Sequence, residues 1–326
     1  GQGTCWGGVL AHDLQPKLIE NQVQSTADGL KKIGSRIADL KQKNKVANLD
    51  SHDSYHALGF MPYNYKSNHP MDMVHKALYF QNIETDIIPC DQLTDFSSYT
   101  MLVIPPLYVA TDELLEAIDR FVKSGGHVVM MHKSGYCNEH SAVRATFAPG
   151  PLRNACGFYY QEYSTISNLS LKDNPFQLED TNQISDWYEF LIPETAQPLA
   201  YAEHPFFGKW PVITENKYGK GKLTYIGTYP SQELLDAVVK KVAGEAGVIS
   251  SGHRMFPIIQ RSGVNKPGKN IRYLFNYSGE TQELTYPDPA ARGLIPGQAL
   301  NKGDNWQFGP GSYTNTALPT QRIVLG

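Results

Sequence analysis

Thr111-Asp-Glu-Leu-Leu-Glu-Ala-Ile-Asp-Arg-Phe-Val-Lys-Ser-Gly-Gly-His-Val-Val-Met-Met131 is the stretch that decides the fold. Thr111 is placed to cap a helix, with Asp112 and Glu113 in the first turn, where the helix dipole favours negative charge. Leu114, Leu115, Ile118, Phe121 and Val122 share one face, and Gly125-Gly126 supplies the stop. His127 to Met131 follows as an almost wholly apolar run. A strand of that kind belongs in the middle of a parallel sheet covered by helices on both sides.

Working outward, Met101-Leu-Val-Ile104 reads as a strand stopped by Pro105-Pro106, because proline removes ladder donors. Pro70 to Phe80 reads as a helix with Val74, Ala77 and Leu78 on one face, and Glu84 to Pro89 and Val46 to Leu49 as strands. Downstream, Pro149 to Pro211 is irregular and aromatic. Tyr218 to Gly227 is a hairpin turn entering a strand, and Ser231 caps a closing helix lined by Leu234, Leu235, Val238, Val239 and Val242. Alternating strands and helices predict an open, doubly wound parallel sheet, with any pocket outside the carboxyl ends of its strands.

Two flanking segments have different patterns. Leu14 to Leu40 carries Leu18, Ile19, Val23, Leu30, Ile33, Ile37 and Leu40 at helical spacing, and Lys41-Gln-Lys-Asn-Lys45 separates this amphipathic helix from the sheet. Beyond His253 the chain turns to short β-like runs, Phe256 to Ile259, Arg272 to Phe275, Gln282 to Tyr286 and Arg322 to Leu325, broken by Gly, Pro and Asn. The expected domains are 1–45, 46–250 and 251–326, the last a small all-β domain.

Composition narrows the function. Hydrophobic residues at 41% and charged residues at 19% describe a globular chain, and 29 Lys and Arg against 32 Asp and Glu leave no basic surface for phosphates. Nucleic acid and membrane are not expected partners. The segment 1–20 lacks the basic-then-apolar pattern of a leader, and four scattered cysteines show no zinc or disulfide spacing, so a cytoplasmic location with reduced thiols is expected.

Candidate chemistry gathers in the loops leaving the parallel strands: Ser51-His-Asp-Ser54 and His56 after the first, His132 to Cys137 and His140 after the fourth. A Cys beside a His is a potential nucleophile with its base, as in amidotransferases on such a sheet. Cys137, however, lies several residues past its strand without glycines on both sides, which favours an inert thiol. His52 and His56 are four apart but fall in a stretch read as a loop, and His132 and His140 are eight apart, so no metal site and no cofactor is indicated. No pair of carboxylates is placed for glycoside hydrolysis, so no catalytic residue is assigned.

Several stretches in order resemble the family 42 glycoside hydrolases, β-galactosidases with a catalytic barrel, a trimerisation domain and a C-terminal β-domain. Gln2-Gly-Thr-Cys-Trp-Gly-Gly-Val-Leu-Ala-His-Asp13 is similar to the end of that barrel, and Leu30 to Val46 to its linker. Ser51-His-Asp-Ser54, Val103-Ile-Pro-Pro-Leu-Tyr108 and Phe121 to Glu139 resemble successive trimerisation-domain signatures. The resemblance implies a flavodoxin-like or class I amidotransferase-like sheet, assembly into a homotrimer, and a barrel upstream of Gly1 holding both catalytic carboxylates. The intact protein would then hydrolyse terminal β-D-galactosides with retention, while this chain alone is inactive. Trp6 falls at the sugar-facing position of the first segment, or else packs a barrel helix onto the next domain. Gly3 stands where the family tends to have a Glu that bonds galactose. Asn48 departs from the apolar strand pattern and suggests a weakened or edge-like strand. The rival readings are an independent Cys/His enzyme built on Cys137, and a carbohydrate-binding module using Tyr159, Tyr160 and Tyr163.

Overall fold

The computed structural model describes residues 13, 15, 19–61, 69–91, 95–250, 253–286, 290–294, 299–309 and 313–317. Trp6, Gly3 and the run Arg322 to Leu325 lie outside the described residues. Two compact units emerge, one made of Asn44–Phe256 and the other of Gly1–Lys43 with Pro257–Gly326.

Helix α1 (Glu20–Ile37) belongs to the second of these units. Its Ile33 is buried among Ile271 and Ala291 of the C-terminal β-sheet and Tyr286 and Leu294 of the adjoining loops. The Asn265 amide donates to Arg36 O at 2.8 Å, and Lys41 bridges to Val264. The helix thus shares a core with strands more than two hundred residues later, which spacing along the chain does not reveal. In that sheet Ile258–Val264 pairs antiparallel with Asn270–Asn276, and Asn270–Asn276 with Tyr313–Ala317.

The larger unit holds a seven-stranded mixed sheet. Strands β1 (Val46–Asp50), β2 (Thr85–Pro89), β3 (Met101–Ile104) and β4 (His127–Met131) are parallel in the spatial order β2-β1-β3-β4. Gly221–Ile226 continues the sheet parallel to β4, and Pro211–Tyr218 and Gln197–Tyr201 complete it antiparallel. The apolar strands bury both faces. Val103, Val129 and Met131 face a core shared with helix α3 (His69–Phe80) and the closing helix Gln232–Glu245, while Leu102, Ile104, Val128 and Met130 face the core of helix α4 (Asp112–Ser124). Each side chain alternates across the pleat, so an all-apolar strand needs a helix layer on each side.

The caps fall where expected: Thr111 Oγ1 accepts from Leu114 N and Ser231 Oγ from Leu234 N, both at 3.2 Å. Three features differ from the sequence reading. Ser51 to Gly59 is not a loop: His52–Gly59 forms helix α2, with Ser51 Oγ accepting from Ser54 N. Asn48 sits in a central strand, 1% exposed between β2 and β3, with its amide donating to Met71 Sδ at 3.3 Å. The region 149–211 is not irregular throughout, since Gln183–Glu189 is a seven-residue strand in a second, antiparallel sheet with Thr228–Pro230 and Tyr163–Ser164. Its pairing partners are distant in sequence, so no local hairpin pattern announces it. Among the described residues no helix is long and apolar enough to cross a membrane.

Candidate functional site at the turn after β4

Where β4 ends, the chain makes a sharp turn through His132, Lys133, Ser134 and Gly135. Lys133 has φ +61° and Gly135 φ +72°. A Cβ at Gly135 would meet Pro149 O at 2.5 Å, so glycine is required there by space as well as by angle. For Lys133 the left-handed conformation costs ~1–2 kcal/mol, and the surrounding bonds over-determine it. Its backbone N–H donates to Glu189 Oε1 at 2.7 Å. Ser134 Oγ donates to Met131 O at 2.7 Å and accepts from Leu107 N at 3.1 Å. The Gly135 N–H donates to Leu107 O and the Cys137 N–H to Tyr108 O, both at 2.8 Å. Ser54 Oγ, from α2, accepts from Val109 N at 2.9 Å and donates to Val109 O at 3.1 Å, so α2 and the loops after β3 and β4 are tied into one edge.

Glu189 is the one fully buried carboxylate among the described residues. Besides Lys133 N–H, it accepts from Trp187 Nε1 at 3.1 Å and from Tyr225 OH at 2.9 Å. Burial raises its pKa, against the lowering effect of the Lys133 and Trp187 N–H groups and the Tyr225 hydroxyl. Lys133 is 2% exposed, and its Nζ lies 3.0 Å from the Trp187 ring centroid and 3.8 Å from Met61 Sδ. Burial pushes this amine down to about 7, opposed by the charge of Glu189. His132, fully buried, is driven down to about 3 by burial first and by Lys133 second. An aromatic layer covers the turn: Tyr136 stacks on Tyr108 at 5.7 Å and on Tyr160 at 6.4 Å, and Tyr163 lies 4.3 Å from Trp187.

A strained strand-to-turn position is where folds of this kind present a nucleophile. Here it presents an amine packed on an indole ring, while the main-chain N–H of the same lysine binds the buried carboxylate, so the arrangement fixes the turn and leaves Lys133 2% exposed. Cys137 lies four residues farther on, fully buried, with its thiol raised by burial against the Tyr108 hydrogen bond and the charges of Arg144 and Lys133. A reactive thiol needs the opposite environment. A thiol reagent at near-neutral pH is expected to leave Cys137 unmodified in the folded chain; labelling as fast as in the unfolded chain would restore the nucleophile reading.

The four histidines are not brought together. His52 and His56 neighbour each other on α2 with ring centroids 6.3 Å apart, His132 is buried and His140 is exposed beside Glu139. Among the described residues no three His, Cys, Asp or Glu side chains are grouped to hold a metal. Of the tyrosines considered for stacking on sugar, Tyr160 is 1% exposed and Tyr159 stacks on Phe147 beneath Arg153; Tyr163 is the exposed one. Glu189 escaped the sequence reading, although a charged residue inside Trp187-Tyr-Glu-Phe-Leu191 is the mark of a buried carboxylate.

The turn after β4 thus holds a shielded lysine at the carboxyl edge of a mixed sheet. The β-galactosidase trimerisation domain of family 42 glycoside hydrolases matches residues 44–249, more than half of the chain, and the chain belongs to that family. Beta-galactosidase LacZ of Lactobacillus acidophilus is 28% identical over 317 residues, covering 93% of this chain and 45% of that protein. Beta-galactosidase BgaB of a Geobacillus species is 28% identical over 264 residues, covering 78% and 37%. The chain therefore spans less than half the length of these relatives. The crystal structure of a β-galactosidase from Bacillus circulans sp. alkalophilus shares the fold with TM-score 0.84 at 23% identity, over 97% of this chain and 48% of that one. The α-L-fucosidase isoenzyme 2 of Paenibacillus thiaminolyticus shares it at TM-score 0.61 and 14% identity, over 97% and 54%, so the fold by itself does not specify the sugar.

Proposed function

We propose that this chain is the assembly part of a β-galactosidase: a trimerisation domain of flavodoxin-like or class I amidotransferase-like topology followed by a C-terminal β-domain, itself without hydrolytic activity. The strand order β2-β1-β3-β4 supports the topology, being that of flavodoxin-like doubly wound sheets. The observation that carries the functional reading is the family match over 44–249, joined to a β4 turn occupied by a shielded lysine.

In this reading residues 1–45 are the end of a catalytic barrel and a linker, 46–250 the assembly domain and 251–326 the β-domain, with Trp6 facing the sugar of the barrel's site. The intact enzyme hydrolyses terminal β-D-galactosides with retention, through two carboxylates on the barrel. Three copies close around one axis, as cyclic symmetry allows. The free thiols Cys90, Cys137 and Cys156 suit the cytoplasm.

Light scattering on the chain, beside a chromogenic β-galactoside assay, tests the reading. A mass of three chains with no turnover is expected. A monomer that hydrolyses the substrate would overturn both halves of the proposal.

A further inference from the structure

Strands β1 and β3 are sheet neighbours, yet the chain leaves β1 for β2 on one side and β3 for β4 on the other. Their carboxyl ends therefore part, and such switch points are where doubly wound sheets hold ligands. A cavity of about 240 Å³ occupies this opening, between the ends of β1 and β3 and the helices α2 and α3. It adjoins the Lys133 turn through Leu107, whose backbone bonds Ser134 and Gly135.

The chemistry of the wall selects the ligand. Leu49, Leu58 and Ile104, each no more than 2% exposed, with Pro106 and Met71, make most of the lining apolar. Asp50 and Asp72 stand in it together with Tyr55, and no lysine or arginine does so among the described residues. His52 lies 3.7 Å from Asp50, but its ring is largely exposed. The negative field extends to Cys90, whose N–H donates to Asp50 O at 2.9 Å. Its thiol is pushed up to about 12, first by burial and then by the charges of Asp50, Asp91 and Asp53. Phosphate-bearing nucleotides and flavins, the usual occupants of this position, are disfavoured by that field. The volume lies below the ~300–1,000 Å³ of sites for drug-sized molecules, so the occupant is small. Apolar walls with a negative rim match a short hydrocarbon stem ending in a cation, the pattern by which lysine and arginine bury their methylenes and keep the charge outside.

We propose that the cavity between β1 and β3 binds a primary ammonium or guanidinium group carried on a short aliphatic stem, with Asp50 and Asp72 receiving the cation. This site is independent of the galactosidase reading. Its ligand is either a free amine or a lysine or arginine side chain of a second copy of the chain.

The test is calorimetric titration of the full chain with agmatine, which carries a guanidinium and an ammonium on four carbons. Inorganic phosphate, galactose and 1-pentanol are the comparison probes. Saturable agmatine binding is expected, weakened by added salt and about tenfold or more in the Asp50→Asn/Asp72→Asn variant, because charge-assisted hydrogen bonds are lost. Asp72 is exposed and the Asp50 carbonyl still receives the Cys90 N–H, so the variant should melt within a few degrees of the parent chain. No saturable agmatine binding, equal binding by the variant, or equal binding of pentanol or phosphate would overturn the proposal. The mass of the variant separates the two sources. An unchanged mass with lost agmatine binding assigns a free amine, and a lower mass assigns a side chain from another copy. A parent chain that is already monomeric yet binds agmatine would count against the assembly reading alone.

Discussion

Replacement of Glu189 by alanine is expected to destabilise the larger unit by about 3–5 kcal/mol, read as a lower urea midpoint at unchanged slope. The magnitude follows from what the carboxylate does. It receives the Lys133 N–H, the Trp187 indole N–H and the Tyr225 hydroxyl, and it is fully buried, so its removal strands three donors away from bulk solvent. Each stranded donor costs ~1–3 kcal/mol, partly relieved by rearrangement. The Lys133 backbone also loses the bond that holds it at φ +61°. Glu189→Gln should cost less, because an amide oxygen still serves the Lys133 and Trp187 donors. Removing the lysine side chain as well, in Glu189→Ala/Lys133→Met, should cost less than the sum of the single changes, since a buried amine no longer lacks its carboxylate. A loss below about 1 kcal/mol for Glu189→Ala would show that the turn is held by other bonds.

Acid should destabilise the same unit through His132. The unfolded chain takes up the imidazole proton near the ordinary value of 6.5, whereas the folded chain resists it until about 3. Between those values the unfolded state binds more protons, so stability falls as pH falls, by up to ~1.4 kcal/mol per pH unit. Glu189 acts in the opposite sense: its raised pKa means that the folded chain takes up this proton more readily than the unfolded one, which offsets part of the loss. Lys133 works at higher pH. Its folded value of about 7 lies below the 10.5 of the unfolded chain, so stability gains as pH rises between them. Thermal melts from pH 7 down to pH 4 should therefore show a falling midpoint that is clearly flatter in His132→Gln. Parallel profiles for the two proteins would remove His132 as the cause.

Much of the fold was legible because local pattern and tertiary role agree. Helix α4 has its cap, its apolar face and its terminal glycines within one short stretch, and β4 is apolar at four of five positions because helices cover both its faces. Helix α2 was not legible. Its sequence His-Asp-Ser-Tyr-His-Ala-Leu-Gly offers little apolar periodicity, and the Ser51 cap and the bonds from Ser54 to Val109 hold it instead. The buried carboxylate was hidden for a related reason. Glu189 is 56 residues from Lys133 and 36 from Tyr225, so its three donors meet only after the two sheets have packed. Cys137 and the histidines stand out in the sequence as reactive residue types, while the strained position itself carries a lysine, which spacing alone does not flag.

The helix Glu20–Ile37 shares its core with strands that begin at Ile258, and this has a consequence for biosynthesis. At ~5–20 residues per second, the ribosome needs on the order of ten to forty seconds to make the stretch between them. During that interval Asn44–Phe256 can complete its own fold, while the helix waits with Ile33 uncovered. Translation thus sets an order of events in which the α/β unit matures first and the discontinuous unit closes last. A nascent chain stalled before Asn270 should accordingly yield a protease-resistant α/β core with its amino-terminal helix still open to cleavage.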